Sequence, residues 1–236
     1  MSTSLATPEL ARPRAARRSL WTWLLVGLAF RFVLLPLAIH ADTLAVYYRI
    51  GLMERGHLDF FEFHLQALPM AVHALWVKAT GVGVPGFAGI AWDDVTVERV
   101  RNVVVAEFTE PVSVWRVAIW KLPYLIFDIA CAFALRSLGG AKVFKLWMLH
   151  PVALFIIFLM GKYETMMLLP LLGGLIAWKR GKLEAGFLLL GVAVAMRIYP
   201  AFLVLPLALV TSASWRRRWE FLSLSLLPLV LVLLAC

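Results

Sequence analysis

Seven ionisable residues stand where an apolar chain should not tolerate them. Arg31 lies inside the first long apolar block, Lys121 and Asp128 inside the second, Lys162, Glu164 and Arg197 in brief interruptions of later blocks, and Asp42 just after the first block. An ionisable side chain at the centre of a bilayer costs at least about 2.5–3.5 kcal/mol on insertion scales, so each needs a partner, a water-filled cavity or a task. Cations gathered in a partly dry setting suit an anionic group such as phosphate, because charge-assisted hydrogen bonds strengthen when water is withdrawn. Arg31, Lys162 and Arg197 are the candidate phosphate contacts, Arg197 foremost, and Asp42 is the candidate general base. A bilayer-embedded site that holds a phosphate and activates a hydroxyl is what transfer from a lipid-phosphate donor requires.

Other readings of the same residues stay open. At 100° per residue, Arg31 and Asp42 fall about 20° from one helical face, as do Lys121 and Asp128. Asp128 can therefore belong to a substrate pocket with Lys121, or simply neutralise Arg31 or Lys121 and hold helices together. Snorkelling toward a span end also accounts for Lys121. Tyr163 and Tyr199 can line a sugar or lipid pocket or belong to an aromatic belt. No metal ligand is assigned, although Asp42, Glu164 and His40 could together take a divalent cation. Asp93 and Asp94 read as a solvated loop pair or a helix cap.

The elements that must position these residues follow from composition. The 236 residues are 62% hydrophobic and 16% charged, against about 45–50% and about 25% in an ordinary soluble domain. Blocks such as 20–39 and 221–235 match the hydrocarbon thickness of a bilayer. The net charge of +9 is carried by clusters between these blocks: Arg12 to Arg18, Arg136 to Lys145, Lys179 to Lys182, and Arg216 to Arg218. Residues 41–116 instead hold nine acids and six bases. The positive-inside rule puts the basic clusters and the N-terminus in the cytoplasm and that long segment outside, and it argues against nucleic acid as a partner. The first block is too long for a signal-peptide core and no small-x-small site follows it. Cys131 and Cys236 lie in apolar blocks and suggest neither a disulfide framework nor a metal knuckle.

The expected fold is therefore all-α: a polytopic transmembrane helix bundle of about seven spans in the cell membrane. Residues 1–19 form a flexible basic cytoplasmic tail, and 20–236 the transmembrane domain. Its outer loop, about 41–114, carries amphipathic helices on the membrane surface, broken at Gly81, Gly83, Pro85 and Gly86. Span one runs over 20–39 and span two over 115–135. The basic clusters at 142–145 and 179–182 leave room only for a short hairpin turning at Gly161-Lys162-Tyr163-Glu164. A second short hairpin turns near Arg197. The last apolar block stops at Cys236 with no tail, which reads as a chain cut short.

At these residues the sequence resembles the GT-C superfamily of glycosyltransferases that use polyprenyl-phosphate sugars, and its mannosyltransferases in particular. The resemblance covers about residues 20–210. It rests on Arg31 followed by His40-Ala41-Asp42 and Tyr47-Tyr48, on Lys121, Pro123 and Asp128, on Leu149-His150-Pro151 leading to Gly161-Lys162-Tyr163-Glu164, and on Arg197-Ile198-Tyr199-Pro200 before Leu205-Pro206. At His150, Lys162 and Glu164 the chain departs from the family's Asn-Pro and Gly-Gln-Phe-Asp pattern. The resemblance implies an inverting transfer of a hexose, above all mannose, from a polyprenyl-phosphate sugar donor to a lipid-linked or glycan acceptor on the outer face. It makes Asp42 the catalytic base and places Tyr163, Glu164, Tyr199, Lys121, Asp128 and His150 in the substrate pocket. A transporter or lipid flippase, or a non-catalytic family fragment, is the alternative. The topology has a direct check: with Cys131 and Cys236 replaced, single cysteines at positions 164 and 213 should label from the outside and the inside respectively, and the reverse pattern would sink the hairpin assignment.

Overall fold

The computed structural model describes residues 12–38, 40, 43, 46–47, 49–51, 67–82 and 112–235. Among them there are helices and turns but no strand, in keeping with the all-α expectation.

Helix α1, Arg12–Leu34, begins inside the stretch expected to be a tail. It ends where Pro36 disfavours helical backbone at Leu35. Helix α2, Ala67–Thr80, lies in the segment expected to be outside and ends at Gly81, whose φ of 66° is readily adopted only by glycine. Helix α3, Val112–Leu149, is two helices joined at Gly140, which has φ 78° and ψ −170°. Pro151 then opens the short helix α4, Pro151–Leu154, and His150 caps it by accepting from the Ala153 amide at 3.3 Å. A π-helical turn, Phe155–Leu159, follows directly. The chain reverses at Gly161, and α5, Glu164–Lys179, returns to a second turn at Gly181. Helix α6, Leu183–Met196, ends at Arg197 in extended backbone; α7, Ala201–Thr211, and α8, Trp215–Ala235, complete the chain.

The turns at 161–163 and 197–200 fall where charge spacing put them. Seven membrane-length helices are not present among the described residues. Only residues 115–149 form a helix long and apolar enough to cross a membrane by length and composition. Turns at Gly161, Gly181 and Arg197 hold α5, α6 and α7 to 16, 14 and 11 residues.

Packing is closest along α5, α6 and α8. Gly174 and Gly186 face one another, and a Cβ on Gly174 would stand 2.9 Å from the Gly186 carbonyl oxygen. Small residues of this kind let helix backbones approach. Beyond them, Phe187 stacks on Phe221 with ring centres 4.5 Å apart. The larger cluster, which positions the candidate site, gathers Tyr47, Met70, Trp120, Tyr124, Phe158, Tyr163 and Met166 from the outer segment, α2, α3, the π-turn and α5.

Gly191 of α6 lies against α8, where an added Cβ would overlap the Ser225 carbonyl and reach Pro228 Cδ at 2.9 Å. Because backbone cannot step aside as a flexible side chain can, Gly191→Ala should destabilise the protein by about 1–3 kcal/mol. A lowered Tm in detergent checks this; an unchanged Tm would show that α8 does not pack as described.

Candidate functional site

The residues singled out by type and spacing separate into two groups, one a buried clamp and the other a polar hairpin tip. Arg31, Asp128 and Lys121 make the clamp, and all three are fully buried. The Arg31 guanidinium donates to Asp128 Oδ2 at 2.5 Å, to the Gly27 carbonyl at 3.0 Å, to the Met148 carbonyl at 2.7 Å and to the Trp147 carbonyl at 3.5 Å. The other oxygen of Asp128 accepts from Trp147 Nε1 at 2.9 Å. Lys121 donates to the Ala38 carbonyl and, at 2.6 Å, to the Phe158 carbonyl.

These contacts change what the first two cations can do. Pro151 has no N–H to return to Trp147, whose carbonyl takes a bond from the His150 amide at 3.2 Å instead, and the helix break leaves the last carbonyls of α3 short of helical donors. Arg31 supplies donors there. Lys121 does the same for the Ala38 carbonyl, beyond the turn that follows α1, and for the π-turn. A cation at helix C-termini is favourable on electrostatic grounds as well. Arg31, expected to contact a phosphate, is occupied by four internal acceptors, and Asp128 and Lys121 stand inside the helix packing. For Asp128 the structure has the neutralising partnership with Arg31. The helical register expected to bring Arg31 and Asp42 onto one face is interrupted, because α1 stops at Leu34. Asp42 itself, like Asp93 and Asp94, lies outside the described residues.

The second group collects at the tip between the π-turn and α5. Arg197 enters from the α6–α7 turn, which brings its guanidinium 3.3 Å from Glu164 Oε1 and 4.4 Å from the centre of the Tyr163 ring. Tyr199 lies within reach of the charges of Glu164 and Arg197, and Tyr163 within reach of those two and of Arg49. Lys162 is half-buried at the tip, and its amide donates to the Ile156 carbonyl at 3.1 Å. Thr43, nine residues beyond α1, reaches this tip and donates to the Gly161 carbonyl at 3.3 Å.

Three atoms here are buried without a hydrogen-bond partner among the described residues: Glu164 Oε2, Arg197 Nε and Thr165 Oγ1. An unmet buried donor or acceptor costs about 1–3 kcal/mol, so a neighbouring unmet donor and acceptor favour a ligand that brings both. Beside them a cavity of about 280 Å³ is lined by Trp147, His150, Ile156, Glu164, Thr165 and Leu168. The tip thus unites Arg197, Lys162, Tyr163, Glu164 and Tyr199, and the cavity adds His150.

No family model, curated protein or solved structure matches the chain. What the site can do therefore rests on its chemistry. Among the described residues no three His, Cys, Asp or Glu side chains converge on a common point that could hold a metal ion.

Sequence reasoning did not single out Trp147, Thr165 or His73. Trp147 fixes Asp128, and the bond is set by a helix break rather than by residue type. His73 had one signal: it is the lone polar member of the buried face Met70, His73, Val77 at helical spacing.

The clamp has a clear mutational signature. Asp128→Asn leaves a buried guanidinium without its counter-charge, and removal of one partner of a buried pair costs about 3–5 kcal/mol. The expected outcome is a strong fall in Tm and in the yield of folded protein, whereas Glu164→Gln, which alters a partly exposed pair, should shift Tm far less. Equal effects would remove the distinction between clamp and tip.

Proposed function

We propose that the chain is a multi-pass membrane glycosyltransferase that moves a hexose, mannose in the first instance, from a polyprenyl-phosphate donor to a lipid-linked or glycan acceptor on the outer face. The observation that carries the reading is Arg197: a guanidinium held at a hairpin tip by a carboxylate and an aromatic ring, with its Nε unmet, whose partner Glu164 also lines an apolar cavity. A phosphate oxygen is the natural acceptor for that Nε, since a planar guanidinium matches phosphate geometry. The unmet Glu164 Oε2 suits a sugar hydroxyl. The outward faces of α1, α7 and α8 suit lipid, with Phe202, Val210 and Leu234 each more than two-thirds exposed.

In this reading Asp42 takes the proton of the acceptor hydroxyl as its oxygen attacks the anomeric carbon. The bond from that carbon to the donor phosphate breaks with inversion, and the electron pair leaves on the polyprenyl phosphate. Support for Asp42 comes from its neighbour: Thr43 contacts Gly161 at the tip that carries Glu164 and meets Arg197. Lys162, from the same tip, adds positive charge for the phosphate. Arg31 serves the site by holding the helices beneath it.

Membranes bearing the protein should transfer label from radiolabelled polyprenyl-phosphate mannose to endogenous acceptors. Asp42→Asn should lower the rate about 10²- to 10⁴-fold at unchanged folded yield, and Arg197→Met should raise the donor KM about 10- to 100-fold, as the loss of a charged hydrogen bond implies. Equal transfer by Asp42→Asn would remove the base. Movement of the donor across the bilayer without a new covalent product would replace the transferase with a transporter.

A further inference from the structure

His73 of α2 is fully buried, yet it is wired with unusual definition. Its Nδ1 lies 2.7 Å from the Pro69 carbonyl oxygen and its Nε2 2.9 Å from the Tyr124 hydroxyl. A carbonyl only accepts, so Nδ1 carries the proton, Nε2 accepts and Tyr124 donates. Burial lowers the imidazole to about 4, so this arrangement persists across the ordinary pH range.

Two rings bear on the imidazole in edge-to-face contact. Tyr47 stands 5.9 Å away at 84°, stacks on Trp120 at 4.6 Å and donates to the Trp120 carbonyl at 2.8 Å. Tyr163 stands 6.3 Å away at 74°. Tyr163 is also the ring that carries Arg197. The other restraint on Arg197, the partly exposed Glu164 pair, is of the kind that holds a long side chain weakly. The orientation of the guanidinium therefore depends on whether Tyr163 can rock, and His73 stands against it, locked at both nitrogens.

We infer that His73 is a positioning residue for Arg197, acting through the Tyr163 ring, so that the outer-segment helix α2 sets the aim of the anion-binding guanidinium. The inference rests on the reading of Arg197 as the phosphate contact. It assigns α2 a part in the site that neither charge nor the family resemblance gives it. Its rival is a purely structural histidine that pins α2 to α3 through Tyr124. Both lower stability when His73 is lost, but only the first couples His73 to Arg197.

The test is a double-mutant cycle on the full chain in detergent, with His73→Ala, Arg197→Met and the pair, read as Tm and as donor KM with polyprenyl-phosphate mannose. Coupled residues give non-additive changes, whereas separate sites add. The Tm loss of the pair should fall short of the sum of the single losses, and the shortfall should vanish on a Tyr163→Leu background. His73→Ala should raise the donor KM about 10-fold and change kcat far less, the pattern of lost binding rather than lost chemistry. Should His73→Ala not fold, Tyr124→Phe frees Nε2 while keeping the ring in place and should show the same coupling in weaker form. Additive Tm losses with both variants, or an unchanged KM in both, would overturn the inference. Non-additive Tm losses in a protein that transfers no mannose would instead leave the coupling standing and remove the transferase reading.

Discussion

A guanidinium withdrawn from solvent must find an acceptor for each of its donors, and much of this fold is arranged around that requirement at Arg31. Its partners come from α1 itself, from the middle of α3 and from the last turn of α3. The arrangement reconciles two features that are each unfavourable alone. A buried cation needs partners, and a helix broken by Pro151 exposes carbonyls that need donors. The second solves the first, and Lys121 repeats the solution at the π-turn. In consequence the π-turn that leads into the turn at 161–163 is held by charge and hydrogen bonding, not by apolar contact alone.

That anchoring lets the tip be polar. Arg197 and Glu164 approach from different turns, at the end of α6 and the start of α5, and meet where neither is wholly covered. The separation of a saturated interior pair from an unsaturated peripheral one distinguishes a part that maintains shape from a part that can receive a ligand.

Much of this was legible in the sequence because charge is costly in an apolar setting. Basic clusters about 33 residues apart forced the two short hairpins, and the turns at Gly161 and Arg197 fall where that spacing required. The same reasoning gathered Arg31, Lys121, Lys162 and Arg197 into one outer site, whereas the structure buries Arg31 and Lys121 among the helices and sets Arg197 against Glu164 and Tyr163. The roles of Arg31 and Lys121 were not legible, since their acceptors are main-chain carbonyls, which every residue carries and no residue type announces. The Arg31–Asp42 register was misjudged because a helical period was extended across Pro36. His73 escaped notice because a single histidine on an apolar helix has no partner in sequence, and Tyr124 lies far along the chain. The number of spans was the hardest quantity, since a hydropathy profile does not show how often glycines interrupt a helix.

Helix α7 has 11 residues, which at 1.5 Å each makes roughly 16 Å, about half of a hydrocarbon core of about 30 Å. If such a helix rises from the cytoplasmic surface, Arg197 stands near mid-depth, and the bilayer must thin locally or admit water to meet it. A headgroup tethered to an isoprenoid would then sink to its binding partner along a wetted funnel without leaving its leaflet. On the transferase reading, host lipid thickness would then govern site access: longer acyl chains would bury the tip and shorter ones uncover it.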